Sequence, residues 1–93
     1  MPPHTRHLNE AFGEVIREWR IKKALTQEQL SFKAKLHRTY ISDLERGRKS
    51  PTLDVIDSLA SALGTESHVL LEAASRYRVR RATRTKKRFR ASS

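Results

Sequence analysis

The chain has 93 residues, no cysteine and a formal net charge of +10. This length allows one small domain with a single core, and the lack of cysteine excludes disulfides and thiolate metal sites. The apolar stretches are too short for a membrane-spanning helix, and the N-terminus has no secretory signal pattern. We therefore expect a cytoplasmic protein.

The positive charge is unevenly distributed along the chain. Residues 1–75 hold eleven Lys/Arg against ten Asp/Glu, whereas residues 76–93 hold nine Lys/Arg and no acid. A segment of this kind is attracted to polyanions, above all to nucleic acid. Residues 76–93 are thus predicted to form a basic tail, whose cations are Arg76, Arg78, Arg80, Arg81, Arg84, Lys86, Lys87, Arg88 and Arg90.

The chain begins with residues 1–8, which we predict to be a flexible lead-in to a domain over residues 9–75. Phe12, Val15, Ile16 and Trp19 recur at the spacing of one helix face, which predicts a first amphipathic helix over about 9–24.

Residues 26–47 have the pattern of two short helices joined by a tight turn. Thr26 and Gln29 form a capping-box pattern, which starts a helix over 27–34. Ile41 and Leu44 supply the apolar side of a next helix, over 38–46, and Gly47 ends it. Helices this short must pack on neighbours, so the segment predicts a helix-turn-helix with a polar recognition face.

Two more helices complete an all-α, five-helix domain. Pro51 or Thr52 starts the fourth, which Gly64 ends, and residues 67–74 form a short fifth.

Residues 12–71 closely resemble the lambda repressor/Cro-like (XRE-type) helix-turn-helix regulators. The matching landmarks are the first helix with Ile16 and Arg20, the segments LTQEQL and YISDLERG, Pro51, and the ASALG end of the fourth helix. LHRTYISDLERG is also similar to the recognition segment of the controller proteins of restriction–modification systems. Lys35 stands where the family usually has glycine, so we expect a positive φ there, at a cost of about 1 kcal/mol.

The resemblance implies which residues contact DNA, although a solvated polar surface is the alternative for each. Arg38 suits guanine, because a guanidinium fits the O6/N7 acceptor pair. The candidates for base contact are His37, Arg38, Thr39, Ser42 and Asp43. The candidates for phosphate contact are Gln27, Tyr40, Arg46, Arg48 and Lys49.

The resemblance further implies a structural ion pair between Arg20 and Glu45 and a two-fold dimer through the fifth helix. Val69, Leu70 and Leu71 are the candidate dimer residues, and the alternative is that they complete the monomer core. No metal or other cofactor is expected, because the four histidines lack ligand spacing, and no catalytic motif is visible.

These observations predict a homodimeric transcriptional regulator that binds an operator in double-stranded DNA, with no enzymatic activity, membrane association or small-molecule effector. Its activity would be set by concentration or by a protein partner. One alternative is an antitoxin that binds a toxin and represses its own operon. Another is a general nucleic-acid or RNA binder driven by the tail, which would grip phosphates or lie in a minor groove, or would serve only as a solubilising extension.

Overall fold

The computed structural model describes the backbone of residues 3–78 and the side chains of residues 8–78. The chain forms helices α1 (Pro3–Lys22), α2 (Gln27–Ala34), α3 (Arg38–Glu45) and α4 (Leu53–Leu63). A fifth helix, α5, covers residues 67–78, where the description ends. No strand occurs within residues 3–78, so the all-α, five-helix prediction is confirmed.

The first helix begins earlier than the sequence predicted. It starts at Pro3, so residues 3–8 belong to the helix rather than to a flexible lead-in. Proline is tolerated in the first turn, where its missing N–H has no helical partner to lose. Leu8 extends the apolar stripe of α1 by one turn and packs against the core, which gives the added turn something to bury.

The last helix continues beyond residue 74, into the segment assigned to the basic tail. Tyr77 packs against the core, and Arg76 Nη2 lies 2.7 Å from Glu72 Oε1 one turn earlier, a pairing that supports a helix. Arg76 and Arg78 therefore lie on α5. The other tail cations lie outside the described residues: Arg80, Arg81, Arg84, Lys86, Lys87, Arg88 and Arg90.

The residues at the helix ends explain where the central helices start and stop. Thr26 and Gln29 form the predicted capping box, with Gln29 N donating to Thr26 Oγ1 at 3.0 Å and Thr26 N donating to Gln29 Oε1 at 2.8 Å. Thr52 caps α4 by accepting from Val55 N at 3.2 Å. Lys35 adopts the expected left-handed conformation, with φ 58° and ψ 43°, which turns the chain sharply between α2 and α3.

All five helices contribute side chains to one core. The largest fully buried side chains are Ile16, Leu30, Ile41, Leu44, Leu59, Leu63 and Leu70. Gly13 is the point of closest approach between α1 and α3, because a Cβ there would overlap the carbonyl oxygen of Leu44 and lie 3.0 Å from that of Glu45. The core thus fixes the depth at which α3 sits on the domain.

Candidate nucleic-acid interface

Helix α3 has one buried side and one polar side. Ile41, Leu44 and Glu45 are buried. On the opposite side Arg38, Thr39 and Arg46 are exposed and Ser42 and Asp43 are half-buried, as positions three, four and seven apart share a helix face. His37, exposed, is the N-cap of α3 and makes no side-chain cap hydrogen bond. The structure therefore brings all five candidate base-contact residues to one surface.

An ion pair ties this helix to α1. Arg20 Nε donates to Glu45 Oε2 at 2.7 Å and Arg20 Nη2 to Glu45 Oε1 at 3.0 Å, while Nη1 donates to the carbonyl oxygen of Leu25 at 2.9 Å. The hydrogen bonds to Glu45 raise the pKa of the Arg20 guanidinium, against the smaller opposing effect of burial. The two-point geometry fixes the rotation of α3 as well as its position.

Glu45 also holds Gln27, at the start of α2. Gln27 Nε2 donates to Glu45 Oε1 at 3.1 Å, and the amide keeps a second N–H for another acceptor, since an NH₂ group has two donors. Gln27 and Arg38 line the same open groove of about 460 Å³. Sequence spacing gave no sign of this bond, because 18 residues separate the two partners.

The remaining phosphate candidates surround the polar side of α3. Tyr40 is half-buried against the core, and burial raises the pKa of its phenol, so the group remains an O–H donor. Arg46, Arg48 and Lys49 are exposed. The backbone N–H of Arg48 donates to the carbonyl oxygen of Asp43 at 2.9 Å, which folds the start of the α3–α4 loop back over the end of α3.

The candidate dimer residues do not share one surface. Leu70 is fully buried in the monomer core, so its assignment to a dimer interface is wrong. Val69 lines a groove beside Glu18 and Tyr77, while Leu71 is 37% exposed and lines a different groove, beside Phe12 and Pro51. Successive helix residues point about 100° apart, which separates the three side chains.

The described residues show no sign of other kinds of site. Within residues 3–78, no group of three or more histidines and acids is placed to hold a metal ion. No helix in this range is long and apolar enough to cross a bilayer. Every buried side-chain nitrogen or oxygen of the described part has a hydrogen-bond partner, so the polar groups available to a ligand lie at the surface.

Comparisons with known proteins agree with this geometry. Residues 16–70 match the helix-turn-helix family profile. The control protein C.BamHI of Bacillus amyloliquefaciens is 42% identical over 69 residues, which cover 73% of this chain and 85% of that protein. The chain spans 50% and 38% of the lengths of two other matching regulators.

Solved structures share the fold over most of the described chain. The clp gene regulator ClgR of Corynebacterium glutamicum superimposes with a TM-score of 0.81 at 30% identity, over 85% of this chain and 84% of that one. The restriction–modification controller C.Esp1396I, solved as a tetramer with its operator, has a TM-score of 0.70 at 30% identity, over 77% and 95%. The relatives do not support the antitoxin alternative. The chain belongs to the XRE-type helix-turn-helix family of transcriptional regulators, which includes the controller proteins of restriction–modification systems.

Proposed function

We propose that this protein occupies a pseudo-palindromic operator as a homodimer, with α3 of each protomer in the major groove. The observation that carries the proposal is the polar side of α3, which presents Arg38, Thr39, Ser42 and Asp43 outward. An α-helix fits the major groove, where each base pair has a distinct pattern of donors and acceptors. The ion pair between Arg20 and Glu45 holds the helix in one orientation on the domain.

Individual side chains on this surface match individual base edges. The Arg38 guanidinium donates to the O6 and N7 atoms of guanine, and the Thr39 methyl meets that of thymine. Asp43 accepts from the amino group of cytosine, and it repels phosphate when the helix is misplaced. This mixture of charges selects a sequence instead of attracting DNA in general.

The residues around α3 hold the phosphate backbone on either side of the groove. Gln27 lies at the start of α2, where free backbone N–H groups and the helix dipole favour an anion, and its second amide N–H adds a donor. Tyr40, Arg46, Arg48 and Lys49 supply further donors. Such contacts set the register and the affinity without reading sequence.

The solved controller C.Esp1396I supports the assignment by analogy. It was crystallised as a tetramer with its natural 35-base-pair operator, and an arginine-to-alanine and a tyrosine-to-phenylalanine variant of it, two residues apart, were also solved. Arg38 and Tyr40 have the same identities and the same spacing in this chain.

The test starts with selection of bound DNA from a random library. We expect inverted half-sites whose centres lie about 34 Å apart, one helical turn. Arg38→Ala should lose about 1–3 kcal/mol of binding free energy and relax selection at one base pair per half-site. Gln27→Ala should weaken binding to all sequences equally, and Arg17→Ala, on the exposed side of α1, should change neither property.

Two results would contradict the proposal. One is enrichment of no sequence at all, which would leave a non-specific binder. The other is retention of the full base preference by Arg38→Ala while Arg17→Ala loses it, which would move the recognition surface from α3 to α1.

A further inference from the structure

The far end of α5 lies beside the loop that follows the recognition helix. Arg78, the last described residue, lines a groove of about 270 Å³ together with Ser50 and Pro51 of the α3–α4 loop. Arg48 and Lys49, two of the phosphate candidates, come directly before Ser50. The chain therefore continues into residues 79–93 from the side of the domain that carries this loop.

The same groove contains the exposed apolar residue that best suits a dimer contact. Leu71 is 37% exposed and shares the groove with Phe12, Pro51 and Ile56. The groove that contains Val69 is lined by the charged residues Glu18, Glu72 and Arg76, and charged groups are disfavoured at the centre of an interface. A two-fold axis past Leu71 places the starts of both 79–93 segments close to that axis.

The axis of a symmetric dimer coincides with the centre of a palindromic operator. Two recognition helices in successive major grooves leave the intervening minor groove facing the protein at that centre. The chemistry of residues 79–93 suits this surface, because they contain seven Lys/Arg and no acid. Arginine and lysine are the side chains that enter minor grooves and neutralise phosphates.

From these positions we propose that residues 79–93 of each protomer bind the minor groove and phosphates at the centre of the operator, between the half-sites. This inference rests on the proposed function. It assigns the segment to one stretch of DNA, and it makes the central base pairs a determinant of affinity although α3 does not contact them. Fifteen residues span at most about 50 Å when extended, so each segment is long enough to cover the half-site separation.

The test compares the wild-type chain with a full-length variant in which all seven cations of residues 79–93 are replaced by Gln. The probes are the selected operator and two copies with uncharged methylphosphonate linkages, placed either at the centre or outside the half-sites. Central neutralisation should weaken the wild type at least tenfold and the variant less than twofold. Outer neutralisation should change neither protein, and the variant should show a salt dependence shallower by about 0.9 for each phosphate that it no longer neutralises.

A charge-matched pair of variants controls for net charge. Arg80→Gln with Arg81→Gln should lower affinity for the intact operator and reduce the effect of central neutralisation. Arg17→Gln with Lys33→Gln removes the same charge from exposed positions of α1 and α2 and should leave both values unchanged. Equal losses in the two pairs would reduce the effect to net charge and overturn the inference.

Other outcomes separate this inference from the proposed function. If the wild type distinguishes the operator from DNA with scrambled half-sites but responds to outer neutralisation alone, the proposed function stands and the central placement fails. An unchanged salt dependence in the seven-Gln variant likewise overturns only the tail contact. If the wild type does not distinguish the two DNAs, both proposals fail.

Discussion

Glu45 links the stability of the domain to the position of its DNA-facing side chains. One carboxylate accepts from Arg20 through both oxygens, which ties α1 to α3, and it also accepts from Gln27 at the start of α2. Its side chain is 5% exposed. Removal of the carboxylate therefore acts on the fold and on a candidate phosphate contact at once.

We expect Glu45→Ala to lower the free energy of unfolding by about 3 kcal/mol. This is the lower end for a buried pair, because Arg20 retains 13% side-chain exposure. Urea denaturation measures the change, with Glu18→Ala, at an exposed position of α1, as the control that should stay within about 0.5 kcal/mol. A melting temperature that Glu45→Ala leaves unchanged would show that the pair contributes nothing to stability.

The sequence predicted single residues well where the cause is local. Thr26 and Gln29 satisfy each other's backbone N–H groups within one helical turn, and Lys35 must take a left-handed conformation if the chain is to turn there. The bond between Gln27 and Glu45 escaped prediction, because it depends on how α2 and α3 pack. The polar side of α3 follows from spacing alone, whereas the partners that hold it do not.

At the scale of whole elements, the ends of the central helices were predictable and the outer ends of α1 and α5 were not. Thr52 and Gly64 carry capping chemistry that marks a boundary in any context. The start of α1 and the end of α5 depend instead on whether Leu8 and Tyr77 find a core to pack against. The position of Leu70 has the same origin, since only tertiary packing decides which of three adjacent apolar residues is enclosed.

The contact between α1 and α3 at Gly13 gives a prediction with an unusual sign. Alanine in place of glycine stabilises an exposed helix by about 1 kcal/mol, yet Gly13→Ala should destabilise this domain by about 1–3 kcal/mol, the range for overpacking. A Cβ at this position meets backbone atoms of α3, which cannot rotate away. Operator affinity should fall as well, because α3 must move outward.

Thermal unfolding of Gly13→Ala beside Ser58→Ala, at an exposed position of α4, measures this effect. The Ser58 variant should differ from the wild type by less than about 0.5 kcal/mol. An increase in the melting temperature of the Gly13 variant would mean that α1 and α3 do not approach as closely as the structure has them.

At the scale of the whole molecule, charge and recognition are carried by different parts of the chain. Residues 1–75 have a net charge of only +1, from eleven Lys/Arg and ten Asp/Glu, so long-range attraction to DNA falls mainly to residues 76–93. A nearly neutral recognition domain gains little from random DNA, which leaves its base contacts to decide where it stops. Dimerisation multiplies that selectivity, because both half-sites must then match.

The last prediction concerns which surface forms the dimer. Leu71→Asp should convert the protein to a monomer at tens of micromolar in sedimentation velocity while its melting temperature stays close to that of the wild type, because the side chain is exposed in the monomer. Val69→Asp is the matched control on the opposite groove and should remain dimeric. Leu70→Asp should unfold the domain, since a carboxylate would be buried without a partner. If Val69→Asp alone abolished the dimer, the two-fold axis would pass by α1 and α5, away from the α3–α4 loop, and residues 79–93 would leave the domain far from the centre of the operator.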